Sequence, residues 1–242
     1  MKFTSFTDKG GRAVNDDYFA EAGMGNIHIF AAADGMGQNG SAASSLAVKT
    51  IIEEFKVKPE LSPAALKHYI TRAQSAVLEI KAYNQEYDNI GAALAVLITD
   101  GKRAVYANCG DARIYIFRGA RISEVTEDHS EAFEAFESGD IEYREIRLSP
   151  DRHKLRRAIG DRISWEPDIS DVIGISSGYS FLICTDGFWN LITEEEMEKA
   201  KRFTSSSSTW LKRMMKKVTS RLRKSSDNYT AAAVCIQKMD TL

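Results

Sequence analysis

The chain of 242 residues contains little cysteine, little proline and no long apolar run. Its cysteines, Cys109, Cys184 and Cys235, are odd in number and far apart. They fit small buried side chains in a reducing compartment better than disulfides or a zinc site. Four prolines and an even charge pattern give no sign of a linker, so a single domain over residues 1–242 is predicted.

Two further absences exclude classes of function. The formal net charge is -2, whereas a nucleic-acid-binding domain normally carries a basic excess. No stretch approaches the roughly 18 apolar residues that cross a bilayer, and the first residues lack the apolar core of a signal peptide. We therefore expect a cytoplasmic protein that binds neither nucleic acid nor membrane. A monomer is the default expectation.

The apolar spacing predicts an α+β order of elements. Helices are predicted at 41–55, at 63–83 with Ser62 as N-cap, and at 209–224, where the outer face is basic. That face is either simply solvated or a docking surface for an acidic partner. Strands are predicted at 27–33, 91–98, 103–108, 113–117, 121–125, 180–185 and 230–237. The charged residues 127–160 are predicted to form an irregular surface excursion, too polar for the core.

Four aspartates stand where apolar strands begin or end: Asp34, Asp111, Asp186 and Asp227. Taken singly, each has an ordinary explanation as a turn residue, as Asp100 does. Gathered on one rim, they would repel each other unless a cation neutralised them. Ligation by oxygen alone favours magnesium or manganese over zinc, and the four histidines show no metal-ligand spacing.

A possible phosphate-binding group precedes the first of these aspartates. Arg12 can bind two oxygens of a phosphate at once, and Asp16, four residues later, can reach a metal or its water. This spacing has no weight alone and gains it only from the motifs around it.

Six motifs in order, RAVNDD, ADGMGQ, CGDARIYIF, LRRAIGD, CTDGFW and SDNYT, resemble those of the PP2C (PPM) family of metal-dependent protein phosphatases. The resemblance runs from about Thr7 to about Gln237. It implies a four-layer α/β/β/α sandwich, in which two antiparallel sheets are flanked by helices and a metal centre lies at one end. It also implies hydrolysis of phosphoserine and phosphothreonine in proteins by a hydroxide that bridges two divalent metals, Mn²⁺ or Mg²⁺.

The resemblance implies a role for each matching metal ligand. Asp34 would bridge the two metals, with the Gly35 carbonyl as a further ligand. Asp186 and Asp227 would complete one metal. Asp16, where the family usually has glutamate, would hold the second metal largely through water.

It also implies roles around these ligands. Arg12 matches the phosphate-binding arginine and, with Asp34, the catalytic pair. Asp111 matches an aspartate associated with a third, weaker metal. Asp17 and Asn228 would support the ligands, and residues 127–155 fall where the family has a variable flap, which we expect to tune substrate choice.

Besides Asp16, the sequence departs from the family pattern at Gln38 and at Ala92-Ala93, and Met36 is a further position of note. Met36 stands where some members have a histidine proposed as general acid. Gln38 replaces a glycine and would be strained at positive φ, and Ala92-Ala93 replaces two threonines. Two alternatives therefore stay open: a catalytically weak or inactive binding or sensing module, and a phosphohydrolase acting on small molecules. The expected partners are phosphoproteins, substrates of a Ser/Thr kinase by analogy, which would make this a signalling protein.

Overall fold

The computed structural model describes residues 1–237, so the last five residues of the predicted domain lie outside the described part. The strands are β1 (Lys2–Asp8), β2 (Asp17–Met24), β3 (Ile27–Met36), β4 (Gly91–Thr99), β5 (Arg103–Cys109), β6 (Arg113–Arg118), β7 (Arg121–Val125), β8 (Asp168–Ile169), β9 (Ile173–Gly174), β10 (Tyr179–Cys184) and β11 (Tyr229–Cys235). The helices are α1 (Gly40–Val57), α2 (Pro63–Tyr83), α3 (Glu131–Glu137), α4 (Asp186–Trp189), α5 (Glu194–Lys201) and α6 (Ser207–Arg221). Short 3-10 turns lie at Gln85–Tyr87, Tyr143–Leu148 and Pro150–His153.

The strands form two antiparallel sheets. One has the order β1-β11-β10-β6-β7, and the other has β2-β3-β4-β5-β8, with β9 also paired to β5. In the second sheet Asp17 lies opposite Asp34, and Asp34 lies opposite Ala93. This register places the motif aspartate of β3 beside the start of β2 and the start of β4.

Three apolar layers hold the sheets and helices together. The helices α1 and α2 cover the second sheet, with Phe55 in their shared core. The helices α5 and α6 cover the first sheet, where Trp210 meets Phe117 edge to face at 4.8 Å between ring centroids. Alanines fill much of the space between the sheets, together with Phe30 and Phe181. The predicted four-layer α/β/β/α sandwich is confirmed, because each interlayer space has its own apolar cluster.

The long predicted helices and the central strands are confirmed to within a few residues. The strands β1 and β2 were not predicted, because β1 is exposed along most of its length and shows no alternation of apolar residues. The three cysteines are buried and unbridged, as predicted. Within residues 1–237, no helix is long and apolar enough to cross a membrane.

The prediction that residues 127–160 form an irregular segment outside the core is wrong. They contain α3 and two 3-10 turns, and they bury Asp128, Phe133, Ile146 and Ile159. The charged Asp128 can be buried because Arg113 donates hydrogen bonds to both of its oxygens, at 2.7 and 2.6 Å. The polar composition of this segment therefore did not reveal that the segment packs into the protein, with buried charges that are paired.

Ser62 caps α2 as predicted: its backbone is extended and its Oγ accepts a hydrogen bond from the Ala65 N–H at 3.1 Å. Because this bond satisfies one of the free N–H groups at the helix start, Ser62→Ala should lower the free energy of unfolding by about 1 kcal/mol. Ser75→Ala, an exposed change on the same helix, is the control and should cost less than about 0.5 kcal/mol. Urea unfolding at fixed metal content measures both, and equal losses would contradict the capping role.

Candidate metal centre

Strand ends from both sheets meet at one end of the sandwich around a cavity of about 320 Å³. Its walls are formed by Arg12, Asp16, Asp34, Gly35, Met36, Gly37, Asp111, His153, Leu155, Asp186, Asp227 and Asn228. The structure thus brings together every predicted site residue except Asp17, which is buried opposite Asp34 in the β2–β3 pair.

The carboxylates of this cavity oppose each other's ionisation. Burial raises the pKa of Asp34 well above its usual range, and the charges of Asp17, Asp186, Asp111 and Asp227 raise it further. Burial likewise raises the pKa of Asp111, with Asp186 as the next cause. Since buried like charges are unfavourable unless they are compensated, this end of the sandwich is suited to a bound cation.

Two buried carboxylate oxygens have no hydrogen-bond partner in the described part of the chain: Oδ1 of Asp186 and Oδ1 of Asp17. The other oxygen of Asp186 lies 3.2 Å from His153 Nδ1 and accepts from Asn190 Nδ2 at 3.2 Å. The other oxygen of Asp17 accepts from Thr185 Oγ1 at 2.8 Å. Buried oxygens without a donor, in a donor set of oxygens, fit a hard divalent cation such as Mg²⁺ or Mn²⁺.

No three carboxylate, imidazole or thiol groups within residues 1–237 stand close enough to enclose an ion on their own. One of the carboxylates is instead paired with a cation of the chain, since Arg12 donates to Asp227 Oδ2 at 2.8 Å. This hydrogen bond raises the pKa of the Arg12 guanidinium. A ligand set with few side chains still suits hard cations, because backbone carbonyls and water complete their coordination. Gly35, whose carbonyl is the predicted backbone ligand, lies on the cavity wall.

Asn228 holds the loop that carries Arg12 and Asp16. Its Nδ2 donates to the carbonyls of Lys9 and Val14 at 2.8 and 2.9 Å, and its Oδ1 accepts from the Asp16 N–H at 2.8 Å. Because the Asn228 side chain is buried, these three bonds fix the loop against the start of β11. Its predicted supporting position is consistent with this contact.

Asp16 is anchored by the first turn of α1. Its Oδ1 accepts a hydrogen bond from the Ser41 N–H at 2.9 Å, where the helix dipole also favours a negative charge. The shorter side chain therefore has a defined position despite the departure from glutamate. The neighbouring backbone is tight, since a Cβ on Gly35 would lie 2.2 Å from the Gly40 carbonyl oxygen.

The other departures cause no strain. Positive φ falls on Gly37, at 84°, and on Asn39, at 70°, not on Gln38. Asparagine tolerates this left-handed conformation better than most residues. Ala92 and Ala93 are buried, and Ala92 exchanges backbone hydrogen bonds of 2.9 Å with Ile159. Methyl groups therefore pack at both positions without leaving a buried hydroxyl to satisfy.

His153 is a cavity residue that the sequence reasoning missed. It comes from the segment 127–160 and contacts Asp186 across 33 residues of chain, so no local spacing marks it. The nearby Met36, where some family members have histidine, lines the same cavity. The cavity thus contains a histidine, but this histidine comes from the 3-10 turn Pro150–His153 and not from β3.

A buried cluster next to Asp111 was also missed. Arg113 lies over the Trp189 ring, 3.6 Å from its centroid, while paired with Asp128. Trp189 Nε1 donates to the Asp111 carbonyl at 2.9 Å. The turn that carries Asp111 is thereby tied to α4 and to the start of the segment 127–160. The local sequence indicates this cluster only through the motif GDAR at 110–113, and the motif does not show which residues contact Arg113.

The family described as Protein phosphatase 2C matches residues 9–227. This match covers most of the chain, so the chain belongs to that family, and the predicted resemblance is confirmed.

Similar proteins agree with this assignment. The curated serine/threonine phosphatase stp of Listeria monocytogenes is 29% identical over 208 residues, which are 82% of this chain and 79% of that protein. The solved structure of the PPM Ser-Thr phosphatase MsPP from Mycobacterium smegmatis, in complex with cacodylate, is 26% identical, with a TM-score of 0.83 and 98% of each chain covered. The catalytic domain of the phosphatase PstP, in complex with 2 manganese ions, has a TM-score of 0.82 over 98% of each chain. At 22% identity, that last likeness shows the fold alone.

The effect of placing these carboxylates close together can be tested by measuring how the protonation of Asp17 changes stability. Burial raises its pKa from 3.8 to about 7, so the folded state binds a proton that the unfolded state releases. The resulting stabilisation is complete below pH 3.8 and is lost as the pH rises through about 7. In chelator-treated protein, the free energy of unfolding should therefore decrease between pH 3.8 and about 7, because Asp17 loses its proton over this range. Asp17→Asn removes this titrating group and should make the decrease smaller.

Glu21→Gln is the control for this prediction, because it removes an exposed carboxylate from the same strand. It should keep the wild-type slope, since an exposed charge is solvated in both states. Urea unfolding at a series of pH values gives the slopes. An Asp17→Asn variant as steep as the wild type would show that Asp17 is not the group responsible.

Proposed function

We propose that this chain hydrolyses phosphoserine and phosphothreonine in other proteins with the help of two divalent cations, Mn²⁺ or Mg²⁺. The observation that carries the proposal is the convergence of Asp34, Asp111, Asp186, Asp227 and Arg12 on one cavity. Membership of the Protein phosphatase 2C family supports it. So do the similar proteins named as serine/threonine phosphatases, one of them in complex with cacodylate, a tetrahedral oxyanion shaped like phosphate.

In this proposal the predicted ligands keep their roles. Asp34 would be shared by the two cations, with the Gly35 carbonyl as a further ligand, and Asp186 and Asp227 would complete the first. Asp16 would hold the second through water, and Asp111 would belong to a third, weaker site. When bound, such cations lower the pKa of a coordinated water and offset negative charge on the phosphoryl oxygens.

Arg12 supplies the phosphate-binding group. Its side chain is 57% exposed, and its carboxylate partner Asp227 is 33% exposed. An ion pair this exposed contributes about 1 kcal/mol or less, so exchanging it for new partners costs little. In the proposed complex Arg12 donates both arms of its guanidinium to the phosphoryl oxygens, and Asp227 becomes available to a cation.

Met36 has no proton to give to the departing alkoxide. In the proposed reaction the serine or threonine oxygen therefore takes its proton from water in the cavity. Positioning of the phosphoryl group and compensation of its charge account for most of the rate, as in other phosphoryl transfers. We further propose that the substrates are proteins phosphorylated by a Ser/Thr kinase, since such a kinase must generate the phosphoserine or phosphothreonine that is removed.

A catalytically weak binding module is not favoured. The family assignment points to phosphatases, and all of the implied carboxylate ligands reach the cavity. Neither Gln38 nor Ala92-Ala93 distorts the backbone there. The departures thus leave the donor set intact.

The test is hydrolysis of para-nitrophenyl phosphate and of a phosphothreonine peptide, with and without Mn²⁺. The wild type should turn over both only with metal. Asp34→Asn and Asp186→Asn should each lower kcat/KM by at least about a hundredfold, because each removes a charge that holds a cation. Calorimetric titration with Mn²⁺ supplies a readout independent of turnover and should show weaker binding in both variants.

Asp100→Asn is the matched control, because Asp100 also precedes a glycine at a strand end. It lies in the β4–β5 turn and pairs with Arg103 at 2.8 Å, away from the cavity. Its turnover and Mn²⁺ binding should stay within about twofold of the wild type. A folded wild type that neither binds Mn²⁺ nor hydrolyses either compound would refute the proposed function.

A further inference from the structure

A second cavity, of about 220 Å³, adjoins the metal centre. The two cavities share Arg12, His153, Asp186 and Asp227 as wall residues, so they lie side by side. The remaining walls of the second cavity are formed by Arg152, Gly187, Asn190, Leu191, Ser225 and Ser226. A group placed here lies directly beside the phosphoryl group that Arg12 would bind.

Arg152 is the cationic group of this second cavity that has no carboxylate partner among residues 1–237. Its Nη1 donates to the Ser149 carbonyl at 3.0 Å, and its Nε is buried without any hydrogen-bond partner. The other arginines of the segment 127–160 are each paired with a carboxylate: Arg144, Arg147, Arg156 and Arg157. The positive charge of Arg152 is therefore not compensated by a carboxylate of the described residues, which suits its remaining guanidinium N–H groups to an acceptor that enters the cavity.

The other charged groups of the cavity are already engaged. Arg12 donates to Asp227, and His153 contacts Asp186. Asn190 is engaged as well, because its Nδ2 donates to Asp186 Oδ2 at 3.2 Å. An acidic side chain of a bound peptide can therefore accept from Arg152, whose charge is left over in this cavity.

We propose that this second cavity binds an acidic group of the substrate protein, close in sequence to the phosphorylated residue, and that Arg152 is the residue that recognises it. The acidic group is a carboxylate or a second phosphate, which share the oxygen pair that an arginine fork binds. The inference rests on the proposed phosphatase function and adds to it a preference among phosphoproteins. It also gives one specific residue to the expected role of residues 127–155 in substrate choice.

The experiment compares phosphothreonine peptides with Mn²⁺ present. One peptide has only neutral neighbours, and the others carry aspartate, phosphoserine or lysine at each neighbouring position in turn. The wild type should favour an acidic neighbour at one or two positions by about tenfold in kcat/KM, as expected for one charge-assisted hydrogen-bonded contact. Comparing the aspartate and phosphoserine series distinguishes the two sources of the acidic group.

Two substitutions at the same residue make the assignment specific. Arg152→Ala should bring the ratio of kcat/KM for acidic and neutral peptides close to one, mainly through KM. Arg152→Glu should reverse the preference, so that lysine is favoured at the position where aspartate was. A reversal cannot come from loss of folding, because an unfolded enzyme discriminates nothing.

Arg144→Ala is the matched control, because Arg144 lies in the same segment, is exposed and pairs with Glu142 at 2.7 Å. It removes the same charge but lines neither cavity. It should keep the wild-type ratio. An equal loss in Arg144→Ala and Arg152→Ala would mean that long-range attraction, not this cavity, creates the preference, and would overturn the inference.

The wild-type controls separate this inference from the function on which it rests. If the wild type hydrolyses neither para-nitrophenyl phosphate nor the neutral peptide, the proposed function fails. If it hydrolyses both but shows no preference for an acidic neighbour, the function stands and the role of Arg152 is refuted.

Discussion

Repulsion between buried carboxylates at one end of the two sheets is the constraint on which the candidate site depends. Asp17 and Asp34 face each other across neighbouring strands of one sheet, and Asp186 follows a strand of the other. Burial and these neighbouring charges together raise the pKa of Asp34. Such an arrangement lowers stability unless a cation compensates it, so it persists only where the rest of the fold prevents the strand ends from separating.

Backbone contacts between the strand ends prevent that separation. A Cβ on Gly187 would lie 1.9 Å from the Asn228 carbonyl oxygen, and one on Gly11 would lie 2.2 Å from the Lys224 carbonyl oxygen. The start of α4, the start of β11 and the loop that carries Arg12 therefore pack main chain against main chain. Because two backbones in contact leave little room for adjustment, the positions of Asp186 and Asp227 follow from the fold more than from their side-chain conformations.

The elements that the sequence predicted are those with a strong local signal. β4 is buried along its whole length and reads as one apolar run, and α2 begins with a serine cap followed by proline. The strands that were not predicted are the exposed β1 and the partly exposed β2, which show no apolar alternation, and the two-residue strands β8 and β9, which are too short to show any. The motif aspartates could be placed on one rim only through the family resemblance. Asp34 and Asp100 share the dipeptide Asp-Gly, and they differ because they lie at opposite ends of the antiparallel pair β3 and β4.

Residues that act through distant contacts could not be predicted from local sequence. Ser130 and Leu155 form an antiparallel bridge, and the Arg156 N–H donates to the His129 carbonyl at 2.8 Å, so the ends of the predicted flap lie side by side. This closure brings the 3-10 turn Pro150–His153 to the metal centre, although the turn itself is polar and short. Nothing in its sequence marks it as part of a site.

The segment that supplies Arg152 and His153 is anchored by the same contacts that position Asp111. Arg113 pairs with Asp128 at the base of the segment and lies over Trp189, which donates to the Asp111 carbonyl. Arg147, within the segment, donates to the Trp189 carbonyl at 2.9 Å. The residue proposed to contact the substrate and the residues that position the carboxylates thus share one buried support. We therefore expect changes in the segment to alter the proposed choice of substrate without disturbing the candidate metal centre only where, as at Arg152, the side chain takes no part in that support.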